Sequence, residues 1–167
     1  MRKDRDYNDG FTHKGMRKIL VDTLRDKGIT DESVLDAINT VPRHFFLESA
    51  FEKIAYENRA FPISADQTIS HPYTVAYQTQ FKKKKKGDKV LEIGTGSIYQ
   101  TTILAAWGAQ WVYTIERQKK LFDEQKEYYH FRKQYPNIKF FYGDGFKGLP
   151  TYGPFDKILI TAAAPFV

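Results

Sequence analysis

Val90-Leu91-Glu92-Ile93-Gly94-Thr95-Gly96-Ser97-Ile98-Tyr99-Gln100 is the stretch whose reading decides the fold. Its first four residues, mostly apolar, read as a short buried strand, and Gly94 and Gly96 then break it. A helix-compatible run follows from Gln100 to Ala106. Strand, glycine turn and helix in this order open a nucleotide-binding α/β domain. The glycines let the backbone turn sharply and admit a ligand where a Cβ would collide. The helix start offers free N–H groups to an anionic ligand group.

Working outward, the spacing narrows the ligand. A dinucleotide fingerprint needs a third glycine at position 99, where this chain has Tyr99. A second acid, Glu116, closes the apolar run Trp111 to Ile115. It stands about 20 residues downstream, the distance at which an acid takes ribose hydroxyls. A downstream acid without the pyrophosphate glycine points to S-adenosylmethionine in preference to NAD.

Composition sets the bounds. The chain has 167 residues, enough for one domain and one core, and 13 Phe and 11 Tyr supply packing material. It has no cysteine, which excludes disulfides, thiol catalysis and cysteine metal sites. His13, His44, His71 and His130 are scattered, and none is assigned a ligand role. Met1 to Asp6 is charged and lacks the apolar segment of a secretory signal. No apolar run reaches bilayer length, so a soluble cytoplasmic protein is expected. The net charge of +6 includes the run Lys82 to Lys86. These lysines are compact and not interleaved with aromatics, so they read as a solvated helix end and not as a nucleic-acid surface.

In chain order, residues 1 to 12 read as a loosely held polar tail. Met16, Ile19, Leu20 and Leu24 recur at helical spacing up to Gly28. Thr30 is placed to cap a second helix, with Val34, Leu35, Ile38 and Val41 on its inner face and Pro42 at its end. Arg43 to Ala60 reads as mixed helix and loop. Phe61 to Tyr73, with two prolines and several small polar residues, reads as a fixed loop and not a strand. Ser70 is suited to cap the helix that starts near Pro72. Trp111 to Ile115, Ile138 to Tyr142 and Lys157 to Thr161 read as further strands, and Gln118 to Arg132 as a helix. The alternation implies a parallel sheet with ligands at the strands' C-terminal ends.

Asp66-Gln67-Thr68-Ile69-Ser70-His71-Pro72 and Val90 to Ser97 together resemble the protein-L-isoaspartate O-methyltransferases. Val41-Pro42-Arg43 with Phe45-Phe46, Gly143-Asp144-Gly145, Phe155 to Ile158 and Thr161 to Pro165 are similar to the same family. The similarity runs from about Met16 to Val167. It implies a Rossmann-like α/β methyltransferase: an N-terminal helical cap (1–60), a substrate and cofactor loop with its helix (61–89), and a nucleotide-binding core (90–167). The family's later strands are not in this sequence. Glu92, Gly94, Thr95, Gly96 and Ser97 would cradle the methionine part of S-adenosylmethionine, and Glu116 would bind the ribose. Asp144 and Gly145 would face the adenine, and Thr161, at a strand's C-terminal end, would also bind the cofactor. Thr68, Ile69 and Ser70 would lie over the donor, with Ser70 orienting the acceptor.

The resemblance implies methyl transfer to the carboxylate of L-isoaspartyl residues in aged proteins and peptides. A methyltransferase with another acceptor, or a non-catalytic module that binds a nucleoside or nucleic acid, stands as the alternative. The family turn also carries glycine where this chain has Ile98, so Ile98 is expected to narrow the space beside the methionine part. The apolar run Ile158 to Ile160 is expected to leave an exposed edge and either self-association or marginal stability.

Overall fold

The computed structural model describes residues 1, 5–81, 87–147 and 149–161. The lysine run 82–86 and the end of the last motif, 162–167, therefore lie outside the described residues. A parallel four-stranded sheet carries the molecule. Its strands are β3 (Lys89–Ile93), β4 (Trp111–Glu116), β5 (Ile138–Tyr142) and β6 (Lys157–Ile160), in the order β5-β4-β3-β6. A two-stranded hairpin, β1 (Phe61–Pro62) with β2 (Thr68–Ile69), stands apart from it. Around the sheet lie α1 (Phe11–Asp26), α2 (Glu32–Thr40), α3 (Pro72–Gln80), α4 (Tyr99–Trp107) and α5 (Lys119–Tyr128).

In-register pairing puts Val90 beside Val112 and Glu92 beside Thr114. Side chains alternate between faces, so Val90, Val112, Ile138 and Leu159 join one core with Ile103 and Leu104 of α4 and Leu24, Val34 and Ile38 of the N-terminal helices. The other face gathers Leu91, Tyr113 and Ile115 under Phe141, Leu149 and Phe155. The chain runs β3, β4, β5 to one side and then returns with β6 on the other side of β3. Strand order reverses between β3 and β6, and the crevice outside that reversal is where open α/β sheets take ligands.

Several local expectations are corrected. The tail is tied down: Arg5 donates to the carbonyls of His44, Phe45 and Leu47, and Arg17 holds Asp9 at 2.8 Å. Asp31, not Thr30, caps α2 by accepting from the Ser33 N–H at 3.0 Å. The loop 61–73 contains the hairpin, with Gln67 N–H closing a turn onto the Ser64 carbonyl at 3.3 Å. Ala65 and Asp66 inside that turn have φ of 58° and 55°, a region that L residues rarely adopt. His71, not Ser70, caps α3: its Nδ1 accepts from the Thr74 N–H at 3.3 Å. Helix α5 ends at Tyr128, because Tyr129 turns inward and Phe131 stacks 5.8 Å from Phe45 and Phe46.

Ile98 departs from expectation in a second way. Its φ is 68° and its side chain is fully buried in the main core. It is absent from the lining of the cleft beside the glycine turn, so it does not narrow that space. Left-handed backbone costs a β-branched residue about 1–2 kcal/mol, while emptying a buried isoleucine site costs about 2–5 kcal/mol. Burial wins. Ile98→Gly is expected to lower the unfolding midpoint by roughly 4–8 °C, the equivalent of about 2 kcal/mol in a domain of this size. A glycine variant that melts at or above the parent would show the strain term to be the larger.

Candidate functional site

The turn after β3 makes one wall of a cleft at the β3–β6 reversal. Gly94 and Gly96 have φ of 95° and 55°, the conformations that require glycine here. The turn is pinned from β4: the Gly94 and Thr95 N–H groups donate to the Ile115 carbonyl at 2.9 and 3.2 Å. Thr95 Oγ1 meets Thr114 Oγ1 at 2.6 Å, and Gln125 of α5 donates to the Gly96 carbonyl. The Thr161 N–H donates to the Ile93 carbonyl at 3.0 Å, so the end of β6 closes the crevice. Opposite stands the loop after β2.

The cleft between them is lined by Thr68, Ile69, Ser70, Glu92, Gly94, Thr95, Gly96, Ser97 and Thr161, with Val75, Gln78, Tyr99 and Gln100 completing it. It holds about 30 Å³, and a water needs about 10–15 Å³ by this measure. A wider cleft of about 820 Å³ adjoins it at Gly96 and Ser97 and runs between Phe46 to Ser49, Ile63, Ser64 and α5.

Glu92 is the chemical centre of the smaller cleft. It points under α4, where Oε1 accepts from Thr101 Oγ1 and, at 2.8 Å, from Thr114 Oγ1. Its Oε2 is buried without a hydrogen-bond partner among the described residues, and so is Oε1 of Gln100, whose Nε2 donates to Thr79 at 2.9 Å. Burial pushes the Glu92 carboxyl up to about 7, against the opposing pull of the Thr101, Thr114 and Thr161 hydroxyls. Two such acceptors on residues that line one cleft suit a cationic donor such as an α-ammonium, and leaving them unpaired is costly.

Glu116 stands just behind the turn. Oε1 accepts from the Gly96 N–H at 2.9 Å and Oε2 from the Gln118 N–H at 2.8 Å. Glu116, Asp144 and Gly145 are not part of the cleft lining. Gly145 has a packing reason of its own, since a Cβ there would lie 2.2 Å from Cγ2 of Ile93. Gln100, Thr101 and Thr114 were not singled out in the sequence. Their signal is a polar residue inside an apolar strand or helix, which reads equally as an ordinary buried hydroxyl.

A separate polar group lies in the N-terminal region. His13, His44 and Glu52 each bring a potential ligand atom within 4.8 Å of the others. The imidazoles stack at 3.7 Å and 12°, so their lone pairs run parallel and do not converge. Both His44 nitrogens are also engaged, with the Tyr56 hydroxyl at 2.8 Å and the Asn8 carbonyl at 2.9 Å.

A parallel sheet of order β5-β4-β3-β6 with a glycine turn after β3 and an acid at the end of the adjacent strand makes a Rossmann-like α/β domain of the nucleotide-binding class. The family model of protein-L-isoaspartate(D-aspartate) O-methyltransferase matches residues 15–167, and the chain belongs to that family. The protein-L-isoaspartate O-methyltransferase of Christiangramia forsetii is 52% identical over 162 residues, covering 95% of this chain and 74% of that protein. The enzyme of the same name from Flavobacterium johnsoniae is 54% identical over 159 residues, with the same coverage of each chain. A solved protein-L-isoaspartate O-methyltransferase superposes with a TM-score of 0.75 at 26% identity, over 87% of this chain and 48% of that one. A Plasmodium falciparum chain solved with S-adenosyl-L-homocysteine has a TM-score of 0.72 at 23% identity, over 90% of this chain and 75% of that one, and it attests the fold.

Proposed function

We propose that this chain is a protein-L-isoaspartate O-methyltransferase: it moves a methyl group from S-adenosylmethionine to the carboxylate of an L-isoaspartyl residue in damaged proteins and peptides. The carrying observation is that Glu92 Oε2 and Gln100 Oε1, buried acceptors without a partner among the described residues, belong to two residues lining a cleft that Ser70 shares. Glu92 and Gln100 would hold the ammonium of the donor's methionine part, Gly94 to Ser97 its carboxylate side, and Glu116 its ribose. Asp144 and Gly145 keep the adenine role only as a proposal carried by the resemblance. When bound, S-adenosylmethionine supplies a methyl group already activated by its sulfonium.

The protein's work is then positional. The acceptor carboxylate is itself a nucleophile, so no base has to be generated. Ser70, half-buried on the loop after β2, would orient that carboxylate by hydrogen bond. Thr68 and Ile69 beside it would help exclude water. Holding reactants in line in this way supplies about 7–11 kcal/mol of a barrier.

The test is methyl transfer to an isoaspartyl peptide beside its normal aspartyl twin. Transfer confined to the isoaspartyl peptide is expected. Transfer to neither, with S-adenosylhomocysteine still bound, would move the reading to another acceptor, and absence of both would favour a non-catalytic module. In the same assay Ser70→Ala is expected to slow transfer about tenfold, the worth of roughly one charge-assisted hydrogen bond. S-adenosylhomocysteine affinity should stay within about twofold. An equal fall in both would make Ser70 a cofactor contact.

Among the described residues no helix is long and apolar enough to cross a membrane. A cytoplasmic location remains a proposal. Self-association is proposed for the 167-residue chain through β6, where Ile158 and Ile160 are 57% and 58% exposed. Sedimentation velocity at micromolar concentration decides it: a strictly monomeric boundary would remove the proposal.

A further inference from the structure

Arg43 is fully buried at the start of the turn Arg43–Phe46, and no carboxylate pairs with it among the described residues. Its charge is spread over three backbone carbonyls from two segments. Nε donates to Ala55 at 3.0 Å, and Nη2 donates to Arg59 at 3.1 Å and to Ser70 at 2.9 Å. The guanidinium carbon lies 4.9 Å from the centre of the Tyr99 ring and 5.9 Å from that of Phe61. Nη1 and the Tyr99 hydroxyl are both buried without a well-aligned hydrogen bond among the described residues, and the guanidinium and the phenol interact electrostatically.

Burying a cation without a counter-charge is expensive, and an apolar side chain of similar size would fill the space at less cost. What the planar fork adds is geometry. Tyr99 is the first residue of α4, immediately after the glycine turn, and Ser70 is the first residue after β2. Ser70 and Tyr99 both line the smaller cleft, from opposite walls, and Arg43 touches both from behind. The β1 residue Phe61, paired with Ile69 of β2, packs on the same guanidinium.

We propose that Arg43 is a positioning residue for methyl transfer, fixing the Ser70 loop at its working distance from the glycine turn. This rests on the reading of Ser70 as the residue that orients the acceptor. Arg43 reaches no reactant; it acts through the Ser70 carbonyl and the Tyr99 ring. A lysine keeps the charge but cannot reach the three divergent carbonyls from one ammonium and also hold a planar group over the Tyr99 ring.

Amide hydrogen exchange on the ligand-free protein reads the clamp without reference to activity. In Arg43→Lys, exchange across residues 61–71 is expected to quicken at least tenfold, while the β3 and β4 amides keep their rates. With the isoaspartyl peptide, kcat should fall at least tenfold, with KM and S-adenosylhomocysteine affinity within threefold. Unchanged exchange at 61–71, or an equal loosening of β3 and β4, overturns the proposal, as does full specific activity per folded molecule. If the parent protein methylates no isoaspartyl peptide, the functional reading fails while the exchange result still decides the clamp. If Arg43→Lys does not fold, Tyr99→Leu, which removes the ring under the guanidinium, carries the decision: about threefold faster exchange at 61–71 with β3 and β4 unaltered supports the clamp, and an unaltered rate at 61–71 overturns it.

Discussion

Glu116→Ala is expected to weaken S-adenosylhomocysteine binding about a hundredfold while the protein stays folded. Hydrogen bonds to a charged group are worth about 1.5–3 kcal/mol each, and two lost ribose bonds at the lower figure already amount to that factor. The carboxylate is also a strut, since it accepts from the N–H groups of Gly96 and Gln118. A carboxylate has about four lone-pair sites, so it can keep both backbone bonds and still accept from a ribose. Its removal therefore takes away ligand bonds and slackens the turn together. Glu116→Gln separates the two effects: it retains one acceptor oxygen but puts donors where Oε2 had accepted. An intermediate loss of about tenfold is expected there. Calorimetric titration at fixed pH measures both variants. Parental affinity in a folded Glu116→Ala protein would remove Glu116 from the binding site.

How legible this was depended on the range of the interactions involved. The β3–turn–α4 unit could be read because glycines and a continuous apolar run act locally. The parallel sheet followed from the same alternation. The hairpin of β1 and β2 could not be read: each strand has two residues, Pro62 occupies one of them, and the turn uses positive φ at Ala65 and Asp66, where no glycine marks it. The tethered tail was invisible for another reason. Arg5 is held by carbonyls about forty positions away, and backbone acceptors leave no trace in side-chain patterning. The same holds for Arg43, whose partners are three carbonyls and two aromatic rings. In the site, Glu92 was legible as a residue but not as a buried group with one free oxygen, because burial of an acid depends on the helix laid across it. Gly145 shows the converse. Its glycine reads as a turn or a ligand approach, and the structure gives it a collision with Ile93 to avoid.

Proton linkage at Glu92 sets the second large effect. In the ligand-free protein its carboxyl is pushed up to about 7 by burial, with the nearby Glu116 charge adding to the rise. A carboxyl raised above its unfolded value contributes stability that is fully present below about 4.5 and is lost as pH climbs through about 7. The unliganded fold is therefore expected to lose stability across that window. An ammonium placed against Oε2 reverses the preference, because a nearby opposite charge favours the ionised form. Ligand binding must then expel a proton at pH values below 7. S-adenosylhomocysteine affinity is expected to climb by roughly tenfold per pH unit from about 5.5 toward 7 and to level off above it, the slope of one linked proton. Titrations in buffers of different ionisation enthalpy should show about one proton released at the acid end. Glu92→Gln keeps an oxygen for the Thr101 and Thr114 hydroxyls but has no proton to lose, so its profile should be flat. Its deficit against the parent should grow with rising pH. A parental slope that survives in Glu92→Gln would place the linked proton elsewhere and leave Glu92 as a structural acid under α4.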